Sequence, residues 1–374
     1  MRRTLFLTGI TGFVGGWLAR ELLERGHRIV ALVNTRQDQC PEMRLARLFQ
    51  EWFYTPEQFS AIQPRITVVG GDLAAPKLGI PDEVLRELPP FDSIIHCAGL
   101  VQFDPYLLPE LRQINLEGTR NVLALADACK IRDFHHVSTA YVSGKRKGVF
   151  RESESSGRGG FHNPYEQTKH EAEKLIRAWR GHDGSQAIIY RPSIVVGDSR
   201  TGYTTHYHGF YGLPRAMEIC LDRFGDLSRL RFPALPEKTV NLVPINHVVQ
   251  ALRAVFETGQ HHGGIFHLTN PRPPTLALLA RIMAETFQSK PPRFVSMSDF
   301  VLRPPSSEER FAMKMVERYA PYLRFAEAHF DRTQADGALQ GQEVDSPLLT
   351  EAEIARLVAS ARSSQKAASV KAAG

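Results

Sequence analysis

The chain has 374 residues, with 46 Lys and Arg against 40 Asp and Glu for a formal charge of +6, and 43% of its residues are hydrophobic. This composition excludes disorder as the main state, and the length allows two or three domains or one large α/β domain with an appendage. Cys40, Cys97, Cys129 and Cys220 form no C-x-x-C pair, which argues against a disulfide framework or zinc site and makes a reducing, cytoplasmic compartment the expectation. The basic residues are dispersed, so no nucleic-acid surface is expected. No window approaches the roughly 18 apolar residues of a spanning helix, and Leu5 to Leu7 behind Arg2 and Arg3 is too short for a signal-peptide core.

Apolar runs alternate with helical periodicity over the first 190 residues or so. Thr4 to Thr8 reads as a strand; Val14, Leu18 and Leu22 then recur at helical spacing until Gly26. Ile29 to Val33, Ile66 to Val69 and Ile94 to Cys97 read as further buried strands. A helix from about Leu111 to Cys129 leads into a strand at Phe134 to Ser138. Asn163 and Pro164 suit an N-cap and a first helical position, opening a helix to about Trp179, and Ala187 to Tyr190 is a sixth strand. This is the pattern of a doubly wound, Rossmann-type parallel α/β sheet. Beyond Arg191-Pro192, glycine, proline and aromatic residues thicken. Residues 1–191 are therefore expected to form the Rossmann-type domain and 192–358 mainly a smaller substrate-binding lobe, with some segments returning to the sheet. Residues 359–374, rich in Ala, Ser and Lys, are expected to be a flexible tail.

Thr8-Gly9-Ile10-Thr11-Gly12-Phe13-Val14-Gly15 stands between the first strand and the first helix. Glycines there permit a tight turn, close backbone approach to a pyrophosphate and close helix–strand packing, with the helix N-terminus favouring the anion. Gly9, Thr11, Gly12, Phe13, Val14 and Gly15 are thus candidate cofactor residues. The second strand ends Leu32-Val33-Asn34-Thr35-Arg36 without the acid that selects NAD; Arg36 is available for a 2′-phosphate, which favours NADPH over NAD. Tyr165 and Lys169 lie four apart on one helix and share a face, so the ammonium can sit beneath the phenol and draw its pKa down.

The T-G-x-x-G-x-x-G spacing resembles that of the extended short-chain dehydrogenases/reductases. The order of the glycine turn, Val137-Ser138-Thr139-Ala140-Tyr141-Val142 and the Tyr165/Lys169 pair is similar to that family as well. The resemblance implies a catalytic trio of Thr139, Tyr165 and Lys169, with the Thr139 hydroxyl joining the phenol at the reacting oxygen and Lys169 also holding the nicotinamide ribose. It implies cofactor contacts at Asp72 and Leu73 after the third strand, at Ala98 after the fourth and near Pro192. Gly71-Asp72-Leu73 with Pro76 and Leu78-Gly79, Ile114-Asn115 with Gly118-Thr119, and Arg191-Pro192-Ser193-Ile194-Val195-Val196-Gly197 narrow the likeness to thioester reductases and fatty acyl-CoA reductases. Val240 to Pro244 with His247 is similar to a general extended-family element, and Phe330-Asp331 after Pro321-Tyr322-Leu323 to the tail of acyl reductases. The implied activity is NADPH-dependent reduction of an acyl thioester, on coenzyme A or a separate carrier protein, to an aldehyde or alcohol. An extended-family dehydrogenase, ketoreductase or epimerase acting on a sterol-like, polyketide or nucleotide-sugar substrate is the alternative, and a non-catalytic NADP-binding regulator is a third reading. Pairing into a homodimer through the two helices flanking the catalytic region is also implied. Gly202 to Tyr211 is a candidate wall for the acyl chain. His206 and His208 lack a third ligand at metal spacing, so no metal site is expected.

Overall fold

Strands that are apolar on both sides must be covered on both faces, and the architecture follows from that requirement. The computed structural model describes residues 2–35, 40–155, 157, 159–324 and 327–373, with side chains in the last helix to Arg362. At its centre lie β1 (Thr4–Thr8), β2 (Arg28–Asn34), β3 (Ile66–Gly71), β4 (Ser93–His96), β5 (Asp133–Val137), β6 (Ile188–Pro192) and β7 (Ile265–Leu268). They form one seven-stranded parallel sheet in the order β7-β6-β5-β4-β1-β2-β3. The six strands expected before Arg191 are all present. The order reverses direction between β1 and β4, and the crevice outside the carboxyl ends of those two strands is where doubly wound sheets bind ligands.

Alternation along β1 splits the core. Leu5 and Leu7 face α1 (Phe13–Glu24), which brings Leu18 and Leu22 to the same side. Phe6 faces the opposite layer, where α2 (Gly118–Ala128) supplies Val122 and Ala126 and α3 (Pro164–Ala178) supplies Ile176. The chain returns to the first layer after Arg191: α4 (Ile245–Thr258) packs along α1 through Val248, Leu252 and Val255. A second core holds Tyr211, Leu242, Leu279, Ile282 and Leu357 and belongs to the segment beyond the sixth strand.

Two expectations are corrected. The single helix expected from Leu111 is three pieces: Leu108–Leu111, a π-helical stretch Arg112–Glu117, and α2. The wider π turn goes with Asn115, whose side chain bonds outside the helix, as described below. The last segment is not a tail from Ala359. A helix, Glu351–Ala373, carries Ile354, Leu357, Val358 and Ala361 at helical spacing into the second core, so apolar burial continues past that residue.

Candidate active site

The turn after β1 is built by contacts that exclude side chains. Gly9 has φ +80°, and a Cβ on it would lie 2.6 Å from the Ala98 nitrogen; a Cβ on Gly15 would lie 2.1 Å from the Gly9 carbonyl oxygen. The turns after β1 and β4 therefore touch, and α1 starts directly against the turn. Gly12 caps α1 without any side-chain hydrogen bond, so the first N–H groups of the helix have no side-chain cap and suit an anion. This cradle fits the pyrophosphate of a dinucleotide. Val14 is half-buried there, and the Phe13 ring lies 5.7 Å from that of His206.

Beneath the cradle a buried network fixes the fourth strand. The Ala98 N–H donates to Thr8 Oγ1 (3.1 Å), and Thr8 Oγ1 meets His96 Nδ1 at 2.8 Å. Thr119 gives its proton to the Asn115 carbonyl (2.6 Å) and so receives that of His96 Nε2 (3.0 Å). The network thus assigns the Nε2–H tautomer, with Nδ1 accepting from Thr8. Asn115 binds the Leu100 backbone at both ends of its amide (2.7 and 3.1 Å) and donates to Thr168 Oγ1 (3.0 Å), tying the loop after β4 to the catalytic helix.

Thr139 lies two residues past the end of β5 and caps the short turn Ala140–Ser143, accepting from the Tyr141 N–H and donating to the Pro192 carbonyl (3.4 Å). Its hydroxyl also acts on the phenol of Tyr165, on the first turn of α3, favouring the phenolate. Asn163 caps that helix by accepting from the Glu166 N–H (3.0 Å). Buried Glu173 holds α3 against β6 through both carboxylate oxygens on Arg191 (2.9 and 2.7 Å). The structure thus brings Thr139, Tyr165, Lys169 and Pro192 together at the carboxyl ends of β5 and β6.

The electrostatics differ from the expectation in one respect. Burial raises Tyr165 above the ordinary phenol value, opposed by the Thr139 hydroxyl. The Lys169 ammonium bonds the Val137 carbonyl (2.8 Å) and His136 Nε2 (3.4 Å), and burial lowers it to about 8. In this chain by itself the phenol is therefore held protonated, the form needed to donate a proton.

Arg36 lies outside the described residues. Asp72 caps its own loop, accepting from the Ala74 N–H (2.9 Å), and Leu73 packs on Gly118, where a Cβ would meet it at 2.7 Å. At the end of β2 the structure shows a cation that sequence reasoning missed: Arg44, on the helix Pro41–Trp52, donates to the Asn34 carbonyl at 3.1 Å. Helical spacing from a strand end was the signal that could have found it. The rings beside Tyr165 were missed as well. Phe103 stands 6.2 Å from Tyr165, with Tyr322 and Tyr319 at 5.7 and 6.4 Å from Phe103. The Tyr322 hydroxyl accepts from Asn163 Nδ2 (2.6 Å) and donates to Glu166 (2.5 Å), which burial pushes up to about 7. The run proposed as an acyl wall instead packs: Phe210 and Tyr211 are in the second core, and Tyr203 lies 6.0 Å from Trp17. Among the described residues no group of His, Cys, Asp or Glu is arranged to hold a metal, and no helix is long and apolar enough to cross a membrane.

Fold and site together define an NAD(P)-dependent oxidoreductase of the extended short-chain dehydrogenase/reductase type. A family model described as "Male sterility protein", an NAD-binding family, matches residues 7–252, and the chain belongs to that family. It is similar to the L-2-aminoadipate reductase large subunit of Penicillium chrysogenum, 30% identical over 277 residues, covering 69% of this chain and 18% of that protein. The chain thus spans about a fifth of the length of that relative. Among solved structures, the terminal R domain of the myxalamid PKS-NRPS biosynthetic pathway superposes with a TM-score of 0.79 at 26% identity, covering 98% of this chain and 92% of that one. A thiolation-reductase di-domain of an archaeal non-ribosomal peptide synthetase shares the fold, with a TM-score of 0.76 at 17% identity over 98% of this chain and 76% of that one.

Proposed function

We propose that this protein is an NADPH-dependent reductase of acyl thioesters, releasing the acyl group from coenzyme A or a carrier protein as an aldehyde or alcohol. The observation that carries the reading is the buried Tyr165 phenol, held protonated and acted on by the Thr139 hydroxyl, at the edge of a crevice floored by the glycine cradle. The relatives support the substrate class: one is named an aminoadipate reductase, and the R domain and the thiolation-reductase di-domain belong to assembly-line synthetases.

The turn Gly9 to Gly15 and the start of α1 would hold the pyrophosphate, Ala98 and Pro192 would flank the nicotinamide, and Arg44 would meet the 2′-phosphate. The bound cofactor supplies a hydride. Thr139 and Tyr165 donate hydrogen bonds to the thioester carbonyl oxygen, stabilising the charge that develops as the carbon is reduced. Tyr165 then gives up its proton to that oxygen, forming a hemithioacetal, and Lys169 stabilises the phenolate left behind. Collapse of the hemithioacetal breaks the C–S bond, the hydroxyl proton leaving and the thiol taking one, and frees an aldehyde; a second hydride and proton would give the alcohol. Phe103, Tyr319 and Tyr322 give the acyl arm an aromatic wall. With Cys40, Cys97, Cys129 and Cys220 all unpaired, the setting we assign is cytoplasmic, and the resemblance to the extended family supports a homodimer.

The test follows absorbance of NADPH and NADH with medium and long acyl-CoA thioesters, the matching aldehydes and several ketones. Thioester-driven oxidation, faster with NADPH and lost in Tyr165→Phe with cofactor affinity kept, is expected. Silence on thioesters with turnover of a ketone would move the protein to the ketoreductase class.

A further inference from the structure

A buried ammonium needs an acceptor for each of its three N–H groups. Val137 supplies one to Lys169 through its carbonyl, and His136, wholly buried and one residue earlier on β5, supplies another through Nε2. For Nε2 to accept, the imidazole proton must sit on Nδ1, and that atom is buried without a hydrogen-bond partner among the described residues. An apolar residue would fill the same space without stranding a donor, as Phe134 does two positions earlier on β5. The stranded donor is therefore tolerated for what the other nitrogen does. His96 lies alongside, ring to ring at 5.2 Å, with both its nitrogens engaged by Thr8 and Thr119.

We propose that His136 is a positioning residue for Lys169: its neutral Nε2 and the Val137 carbonyl together fix the ammonium, leaving one N–H for the cofactor ribose and the Tyr165 oxygen. The proposal rests on the role given to Lys169 above and names the group through which that lysine is held. The groups facing Lys169 from each neighbouring element leave it few alternatives. From β4 and its turn come His96, lowered to about 3, and Cys97, pushed up to about 12, both neutral near pH 7. From β5 comes His136, also held neutral by burial and by Lys169. On its own helix Glu173 is negative but engaged by Arg191. The Gly99 backbone closes the last side, where a Cβ would lie 4.0 Å from Nζ. Removing the imidazole acceptor therefore disfavours the ammonium, and the pKa of Lys169 falls further.

The experiment uses the full chain with His136→Phe, which fills the space without an acceptor, and His136→Gln, which restores an acceptor oxygen. Carbamylation of Lys169 by cyanate is followed against pH by peptide mass spectrometry, alongside the pH profile of kcat/KM on an acyl-CoA. The Phe variant should lower the labelling midpoint and the alkaline limb by about one pH unit, the loss of one charge-assisted bond being close to tenfold, and the Gln variant should recover most of it. A merely structural role lowers kcat/KM at every pH without moving the limb. An unmoved midpoint in a folded Phe variant overturns the proposal. Should that variant fail to fold, His136→Asn, too short to reach Nζ, takes its place under the same criteria. A shifted midpoint in a protein that turns over no thioester upholds His136 and refutes the thioester reading instead.

Discussion

Replacing Arg44 with Ala probes the cofactor choice where the structure places a cation. Its guanidinium donates to the Asn34 carbonyl at the carboxyl end of β2, where a ribose 2′-substituent is read in doubly wound folds. A charge-assisted bond from a half-buried guanidinium to a phosphate contributes about 1.5–3 kcal/mol, so the substitution should weaken NADPH roughly tenfold to a hundredfold. NADH carries a hydroxyl at that position and should change by less than about fivefold, since a bond to that uncharged, solvated hydroxyl contributes only about 1 kcal/mol or less. Asn34 is exposed, and water can take over its carbonyl. Arg44→Lys should recover part of the loss, as a point charge without the fork geometry. Dissociation constants for both cofactors, from quenching of protein fluorescence at two salt concentrations, give the ratio directly. The NADPH preference should also shrink with salt in the wild type and not in Arg44→Ala. A NADPH-to-NADH ratio unchanged within twofold, in a variant of unchanged melting temperature, would refute the assignment of Arg44 to the 2′-phosphate.

Gly15→Ala places a methyl 2.1 Å from the Gly9 carbonyl oxygen, so the cradle must open; loss of nucleotide binding, measured by calorimetry, is expected with a fold still cooperative in melting. Arg191→Ala leaves the fully buried Glu173 carboxylate only the longer pair with Arg177 at 3.7 Å and removes the guanidinium from over the Phe150 ring, at 4.8 Å; breaking such a buried pair costs up to about 3–5 kcal/mol, read as a lowered denaturant midpoint. Glu166 holds its proton up to about pH 7 in the fold, whereas the unfolded chain releases it near 4.3. Between those values the native state binds more protons, so this group lowers stability as pH rises. Glu166→Gln should therefore gain in melting temperature relative to the wild type from about pH 5 to about pH 7, and a constant difference across that window would contradict the burial argument.

The sheet was legible because its strands are continuous apolar runs: Ile94-Ile95 and Ile188-Ile189 have no solvent face to blur the reading, and each is bounded by a turn residue or a helix. The glycine turn and the Tyr165/Lys169 spacing were legible for a related reason, since their geometry depends on close sequence neighbours. What stayed hidden depends on chain segments far apart. Phe103 and the Tyr319/Tyr322 pair meet beside Tyr165 from stretches more than 200 residues apart, and no periodicity links the two. Asn115 could be seen as a motif position but not as the cause of a π turn, because its partners at Leu100 and Thr168 lie 15 and 53 residues away. The electrostatic error has the same origin. Spacing put the ammonium on the face of the phenol, but which acceptor a buried lysine chooses depends on what the next strand presents, and β5 presents a carbonyl and an imidazole. A helical i, i+4 pair therefore specifies that two groups share a face, while the strand beneath them decides what else the lysine binds.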